Sequence, residues 1–322
     1  MKYPRLVMAV LAGAMSLAAH AQQPIVFTKP ITMVIPYGPG GSTDPAGRIV
    51  APRLAKELGQ PVVIENKPGA ASALGTAQVS RAAPDGYTIL LNTNVVAIHP
   101  STQKNPGYDT RSDIVPVMLM ASGPFTLAVN PSLPVQTTQD LIAYSKANPD
   151  KLFYGTSGSG STLHLLTELL KKSSGLAMTH VPYKGNGAVV TALLGGEIQA
   201  AFDTIPGSKA LVDAGRVRLL AVTSPERNPM LPNVPTLAES GIQGFEAETS
   251  VGIFLPKGAS DAMVQRYHAA LVNVFKDEEV KSKLAAIGYR VVASTPDQFK
   301  KRLEVEMKQW AEVTKSAGIS PE

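Results

Sequence analysis

Residues 31–58, ITMVIPYGPGGSTDPAGRIVAPRLAKEL, carry the junction around which the chain is organised. Ile31–Ile35 is a short apolar run, Pro36–Gly41 a turn cluster, and Ser42, Thr43 and Asp44 lead into a segment with helical spacing. Asp44 followed by Pro45 reads as a helix N-cap and first helical residue, because the N–H that proline lacks is not needed there. Pro52 is expected to kink that helix. The order is strand, glycine loop, helix start. Such a junction gathers unpaired backbone N–H groups and the positive end of a helix dipole, which suits an anion.

Before this stretch, Met1–Ala21 has Lys2 and Arg5, an apolar run from Leu6 to Ala19, and Ala19-His20-Ala21 as a cleavage site. That pattern predicts a secretory signal peptide and an exported mature chain. Its removal from the 322 residues leaves 301, enough for two domains or one large one. The formal charge then falls from +5 to +3, with no Lys/Arg block and only 6 % aromatic residues, so nucleic-acid binding has no support. Zero cysteines exclude disulfides and thiolate metal sites, and the five histidines never take an H-x-x-x-H spacing. No metal and no cofactor are expected.

Outward from the opening junction, strand and helix patterns alternate. Strands are predicted at Pro61–Ile64, Thr88–Leu91, Val115–Ala121, Phe125–Val129, Leu152–Tyr154, Gln199–Phe202, Val217–Thr223 and Thr249–Leu255. Helices are predicted at Leu74–Ala83, Thr138–Ala147, Ser161–Ser173, Ala188–Leu194, Gly207–Ala214, Asp261–Phe275, Glu278–Ile287 and Pro296–Ser316. This alternation argues an α/β fold with largely parallel sheets.

One internal echo stands out. Phe153 to Thr162, FYGTSGSGST, is again a strand end, a glycine/hydroxyl loop and a helix start, with Ser161 or Thr162 as cap. It follows the first loop by about one α/β domain length. Either loop alone has a purely structural reading, since glycine loops join strands to helices everywhere. Two of them suggest two lobes presenting similar anion cradles at the carboxyl ends of strands. Enzyme motifs fit less well. Gly38-Pro39-Gly40-Gly41-Ser42-Thr43 nearly spells the dinucleotide fingerprint, but Thr43 stands where the third glycine belongs, although Glu65 lies where a ribose-binding acid would sit. No P-loop exists, and Ser159 breaks a G-x-S-x-G around Ser157. His164 and Ser157 allow a dyad for which no third member is nominated.

The chain resembles the substrate-binding proteins of tripartite tricarboxylate transporters, the Bug family. The resemblance covers essentially the whole mature chain. It is carried by Lys29-Pro30-Ile31 into Val34-Ile35-Pro36-Tyr37, Gly40 to Asp44, Gly59 to Ala70, Ala83-Pro84-Asp85-Gly86-Tyr87-Thr88 and Leu152 to Ser161. His180 to Gly185, Phe202-Asp203, Leu220 to Ser224 and Pro232 to Thr236 continue it. The resemblance implies a type II periplasmic-binding-protein fold, two α/β lobes joined by a hinge of crossing strands near Ser122–Val129 and Glu246–Leu255. Residues 22–123 and 249–322 would form lobe one and 124–248 lobe two. It further implies that a ligand carboxylate is gripped by backbone amides, hydroxyls and bridging waters from both glycine loops. No arginine falls in either loop, so dipoles and hydroxyls carry the anion.

Carried over one residue at a time, the first loop offers Tyr37 as a pocket wall, Gly38, Gly40 and Gly41 as amide positions, and Ser42, Thr43 and Asp44 as polar contacts. Asp44 has the competing reading of a helix cap, since a lone carboxylate repels an anion. The second loop offers Thr156, Ser157, Gly160, Ser161 and Thr162, with His164 facing the cleft or packing in its helix. Asn92, Thr93 and Asn94 supply amide contacts or form a bare turn. Tyr183 and Lys184 follow a strand, the lysine as counter-ion or as solvated charge. Asp203 meets a ligand ammonium or hydroxyl, or caps a turn. Ser250 stands where many relatives carry a tryptophan, and the sole tryptophan, Trp310, is expected at a surface seam. The expected function is capture of a small organic carboxylate, a di- or tricarboxylate or an acidic amino acid, by a monomer in the periplasm for delivery to membrane permease subunits. A periplasmic sensing subunit presenting its ligand to a membrane receptor and an exported dinucleotide-dependent enzyme remain as alternatives.

Overall fold

Strand β1 (Ile31–Ile35) forms on the opening apolar run and buries every side chain but Thr32. It leads into helix α1 (Thr43–Leu58), whose inner face carries Ala46, Gly47, Val50, Ala51 and Leu54, and which runs through Pro52 as one element. The helix starts at Thr43, so Asp44 lies inside its first turn and not before it as the cap. The chain is described here by a computed structural model over residues 25–40, 43–245 and 247–321. The expected signal peptide Met1–Ala21, the loop residues Gly41 and Ser42, and Glu246 of the expected hinge lie outside the described residues.

Strands β2 (Val62–Asn66) and β3 (Thr88–Thr93) flank β1, both parallel to it. Between them come a single 3-10 turn, Ala70–Ser72, and helix α2 (Ala73–Ser80). Helix α3 (Val95–Thr102) follows β3 directly. The middle of the chain supplies α4 (Thr138–Ala147), β5 (Phe153–Thr156), α5 (Thr162–Ser174), β6 (Thr179–Pro182), α6 (Asn186–Gly195), β7 (Ala200–Thr204), α7 (Ile205–Asp213) and β8 (Arg218–Val222). The last part supplies β9 (Glu248–Pro256), α8 (Asp261–Val274), α9 (Glu278–Ala286), β10 (Arg290–Val291) and α10 (Pro296–Ser316). Helix α4 starts where a capping box predicts: the Thr137 hydroxyl accepts from the Asp140 N–H, and the Asp140 carboxylate accepts from the Thr137 N–H.

The two strands expected at Val115–Ala121 and Phe125–Val129 are one, β4 (Ile114–Val129). Ser122, Gly123 and Pro124 mimic a turn in sequence, yet the strand continues through them because it changes partners there. Ile114 to Pro124 pairs antiparallel with β9, and Phe125 to Val129 pairs antiparallel with β7 and β8. A Cβ on Gly123 would stand 2.5 Å from the Gly288 carbonyl oxygen, so a side chain at this crossing meets backbone. The strand order is β2-β1-β3-β9-β4-β7-β5-β6, with β8 and β10 also on β4. Parallel pairs therefore occupy the outer parts and antiparallel pairs the centre, a mixed arrangement rather than the largely parallel one expected.

Trp310 is 3 % exposed and not at a surface seam. With Leu303 and Met307 of α10 it joins a continuous core that contains Val96 and Ile98 of α3 and Leu165 and Leu166 of α5. Spacing of four and three residues puts Phe299, Leu303, Met307, Trp310 and Val313 on one buried stripe. That stripe ties the strand group around β1 to the group around β5. Truncating one of its large side chains to alanine would cost roughly 2–5 kcal/mol.

Candidate functional site

Tyr37, at the start of the first loop, is half-buried, and its hydroxyl is fixed from behind. It donates to Asn92 Oδ1 at 3.0 Å and lies 2.8 Å from Thr93 Oγ1. Asn92 in turn donates through Nδ2 to Thr76 Oγ1 at 2.8 Å, so β3 and α2 together orient the ring. Burial pushes the phenol pKa up, against the hydrogen bonds to Thr93 and Ser72. Tyr37 is thus a neutral wall. Asn92 is fully buried and Thr93 half-buried, and both act through Tyr37.

Asp44 is 3 % exposed and turns back onto its own loop. Its carboxylate accepts from the Gly40 N–H at 3.1 Å, Arg48 Nε at 2.9 Å and Asn66 Nδ2 at 2.9 Å. Burial pushes its pKa up, but the hydrogen bonds from Arg48, Asn66 and Gly40 outweigh that and hold it below the usual range. Its acceptor capacity is spent on protein donors, so Asp44 shapes the loop. Gly40 and Asp44 border a separate depression beside Arg48, Arg53 and Glu279.

Between β2 and α2 the backbone takes a course that glycine spacing does not announce. Ala70, Ala71 and Ser72 have φ of 46°, 50° and 81°, three successive non-glycine residues in the left-handed region. Each such residue costs about 1–3 kcal/mol and persists only where its surroundings hold it. The holders are identifiable. Gln103 Nε2 donates to the Ala70 carbonyl at 3.1 Å, Thr76 Oγ1 donates to the Ser72 carbonyl at 2.9 Å, and His99 Nε2 lies 2.9 Å from the Ala71 carbonyl. His99 Nδ1 is 2.6 Å from the Tyr108 hydroxyl. Burial drives the His99 pKa down to about 4, so the ring is neutral, with Nε2 as donor to a carbonyl that can only accept.

The second loop joins β5 to α5. Ser161 is the N-cap, and its Oγ accepts from the His164 N–H at 3.3 Å. Gly160 has φ of 69°, and its N–H donates to His164 Nδ1 at 3.0 Å. Thr156 Oγ1 donates to the Gly158 carbonyl at 3.0 Å and is 2.6 Å from His180 Nε2. His164 and His180 stack with ring centroids 3.8 Å apart, and the Tyr154 ring packs beside both, 5.0 Å from His180 and 6.3 Å from His164. Behind them Glu168 Oε1 accepts from the Tyr154 hydroxyl at 2.5 Å and from Lys171 Nζ at 2.7 Å. Burial, then the neighbouring His164, lowers the His180 pKa to about 4, and burial lowers that of His164. Two neutral imidazoles therefore brace the loop from below.

These parts face one another across a cleft of about 690 Å³. One wall is Tyr37 with Ala70 and Ala71, a second is α3 through Val95, Ile98, Thr102 and Gln103, and the third is 157–163. Of the residues expected from sequence, Tyr37, Ser157, Gly160, Ser161 and Thr162 line this cleft, while Thr156 and His164 lie behind it. Thr43 is buried in the first turn of α1, and a Cβ on Gly38 would meet open space. Asn94 Nδ2 donates to the Glu248 carbonyl at 3.1 Å, tying β3 to β9. Ser250 is buried opposite Ser122 in the β4–β9 pair. Tyr183 is half-buried beside Gly155, and Lys184 is exposed. Asp203 is buried away from the cleft: its Oδ1 accepts from Asn186 Nδ2 at 2.9 Å and the Thr204 N–H at 2.8 Å, and burial raises its pKa. Gly41 and Ser42 lie outside the described residues.

Sequence reading missed the Ala70–Ser72 turn as a wall and α3 altogether. Val95, Val96 and Ile98 suggest a strand, and Pro100 argues against a helix interior. The available signals were Gly69 before two alanines and Asn94 at the position before the helix.

A family model described as "Tripartite tricarboxylate transporter family receptor" matches residues 46–319. The chain is 34% identical over 314 residues to protein BugT of Bordetella pertussis (strain Tohama I), covering 97% of this chain and 96% of the relative. It is similar to the structure of R. palustris Rpa4515 with adipate, at 35% identity and TM-score 0.81, covering 92% of this chain and 99% of that one. It is also similar to MatC of Rhodopseudomonas palustris with bound malate, at 28% identity and TM-score 0.75, covering 89% of this chain and 99% of that one. The chain belongs to the tripartite tricarboxylate transporter receptor family, and its fold is that of the family's periplasmic binding proteins.

Proposed function

We propose that this member of a solute-binding receptor family captures a small organic carboxylate in the cleft between Tyr37 with Ala70–Ser72 and the loop 156–162, for delivery to the membrane subunits of a transporter. The observation that carries the reading is the pairing of a strained, braced backbone turn with a capped helix start across one cleft. Helix starts and backbone amides favour anions. Ser161 and Thr162 begin α5, and Gly160 lets the backbone approach a ligand closely. Residues 22–123 and 249–322 form one lobe and 124–248 the other, with the β4 crossing as hinge. The protein works as a monomer in the periplasm after export by residues 1–21. Ser157, Gly160, Ser161, Thr162 and Tyr37 touch the ligand, while Asn92, Thr93, Thr156 and His164 hold them in place. Each charge-assisted hydrogen bond contributes roughly 1.5–3 kcal/mol.

The test is thermal shift and calorimetry on the mature protein against mono-, di- and tricarboxylates, acidic amino acids, sugars and amines. A carboxylate should bind, and Ser161→Ala should weaken it at least tenfold while removing only about 1 kcal/mol of stability through the lost cap. A response confined to sugars or amines sinks the reading.

A further inference from the structure

Tyr37, a wall of the cleft, is held at two ends. Its hydroxyl is fixed by Asn92 and Thr93 of β3, and its backbone carbonyl accepts from Asn66 Nδ2 at 3.0 Å. Asn66 closes β2, in register with Ile35 of β1, two residues before Tyr37. Its Nδ2 also donates to Asp44 Oδ1 at 2.9 Å, so both hydrogens of the amide are engaged, one by Tyr37 and one by Asp44. The other oxygen of Asp44 accepts from the Gly40 N–H at 3.1 Å. The first loop therefore hangs from two side chains, Asn66 at Tyr37 and Asp44 at Gly40.

Arg48 orders that pair. Four residues after Asp44 on α1, it donates through Nε to Asp44 Oδ2 at 2.9 Å and through Nη2 to Asn66 Oδ1 at 3.3 Å. A guanidinium has donors and no acceptor, so the Asn66 oxygen must face it and the Asn66 nitrogen must face Tyr37. A reversed amide would set donors against donors and lose the bond to the Tyr37 carbonyl. Nε and Nη2 belong to one rigid planar fork, which holds Asp44 and Asn66 in a fixed relation that the point charge of an ammonium cannot impose. The Arg48 side chain is 55% exposed and lies on the depression along α1, not on the cleft. An ion pair this open contributes little to folding.

We infer that Arg48 is a positioning residue for ligand capture: through Asn66 and Asp44 it sets the backbone of Tyr37 and Gly40, and with it the wall on which the ligand rests. The inference builds on the carboxylate-binding reading above and adds to it a residue that does not touch the ligand.

Calorimetry at pH 7.5 tests it with whichever carboxylate, adipate and malate included, the unmodified chain binds most tightly. Arg48→Met should weaken binding about fivefold or more, while the urea midpoint of the ligand-free protein shifts by less than ~0.5 M. Arg48→Lys keeps a charge beside Asp44 without the fork and should stay about threefold weak or weaker. Asn66→Leu should also weaken binding, and the double variant should bind at least about threefold more tightly than the product of the two single losses, because the two residues act as one mount. Arg53→Met, on the same helix but paired with Asp277, should leave affinity within about twofold. Full affinity in a folded Arg48→Met, full recovery by lysine, or single losses that simply multiply would each overturn the proposal and leave carboxylate capture intact. So would an Arg48→Met chain that loses ligand only because it has lost stability, since the residue would then serve the fold. Binding of no carboxylate by the unmodified chain, alongside a response to a sugar or amine, overturns the carboxylate reading itself.

Discussion

Replacing His99 by leucine isolates one term of acid stability. His99 is 1 % exposed, and its hydrogen bonds to Ala71 and Tyr108 fix it as a neutral ring. The unfolded chain takes up a proton on this residue near its ordinary pKa of 6.5, whereas the folded chain does so only near about 4. Between those values the unfolded state holds more protons, so stability falls as pH falls. Above about 6.5 both states are neutral and the residue contributes no slope. At ~1.36 kcal/mol per pH unit the gap amounts to about 3 kcal/mol, fully developed by pH 4. Leucine removes that slope but leaves the Ala71 carbonyl and Tyr108 hydroxyl short of a partner, at about 1–3 kcal/mol each. The variant should therefore be less stable at pH 7.5 by roughly 2–5 kcal/mol, with a flatter acid limb. Urea unfolding at pH 7.5, 6, 5 and 4.5 measures both. His164 and His180 also resist protonation, but they are present in both proteins and cancel in the difference. Parallel acid limbs for the two proteins would refute the argument.

Two further outcomes follow from the braces. Ligand affinity in the unmodified protein should weaken as pH falls well below the ordinary imidazole pKa of about 6.5, because burial holds the His164 pKa down and a proton on its Nδ1 removes the acceptor for the Gly160 N–H. Lys171, Glu168 and His180 surround that ring, so His164→Phe, which cannot gain the proton, should bind about tenfold more weakly at pH 7.5 and show a flatter profile by calorimetry. A Cβ on Gly207 would collide with the Asp203 carboxylate, so Gly207→Ala should lower stability by about 1–3 kcal/mol in urea and leave ligand affinity within threefold. A larger loss of affinity would mean that Asp203 serves the ligand after all.

Much of the fold was legible because its signals are local. Thr138–Ala147 was placed to the residue, since a capping box starts it and Pro149 lies just beyond it. At the second loop Ser161 or Thr162 was readable as the cap from hydroxyl type alone, and Ser161 is the one that caps. The errors share a cause of the opposite kind. Ser122 to Pro124 looks like a turn because sequence reports propensity, whereas β4 is kept continuous there by partners more than a hundred residues away in β9 and β10. Trp310 looked peripheral because a terminal helix with many charges suggests a surface. Its apolar stripe closes a core assembled from both ends of the chain.

The two jaws also differ in how they announce themselves. The loop 156–162 uses glycines to reach its conformation, so composition reveals it. The turn at Ala70–Ser72 reaches a comparable conformation without glycine, and the strain is borne by side chains distant in sequence: His99, Gln103 and Thr76 grip its carbonyls. No local pattern encodes such a turn, because its cause lies in α2 and α3. A shared logic nevertheless links the jaws. Each presents backbone to the cleft and is braced from behind by a neutral imidazole, His99 for one and His164 for the other. Because neither imidazole carries charge near neutral pH, the braces add no cation to the cleft. If the cleft takes the ligand as proposed, a change at either histidine should act on it through the backbone that the ring holds.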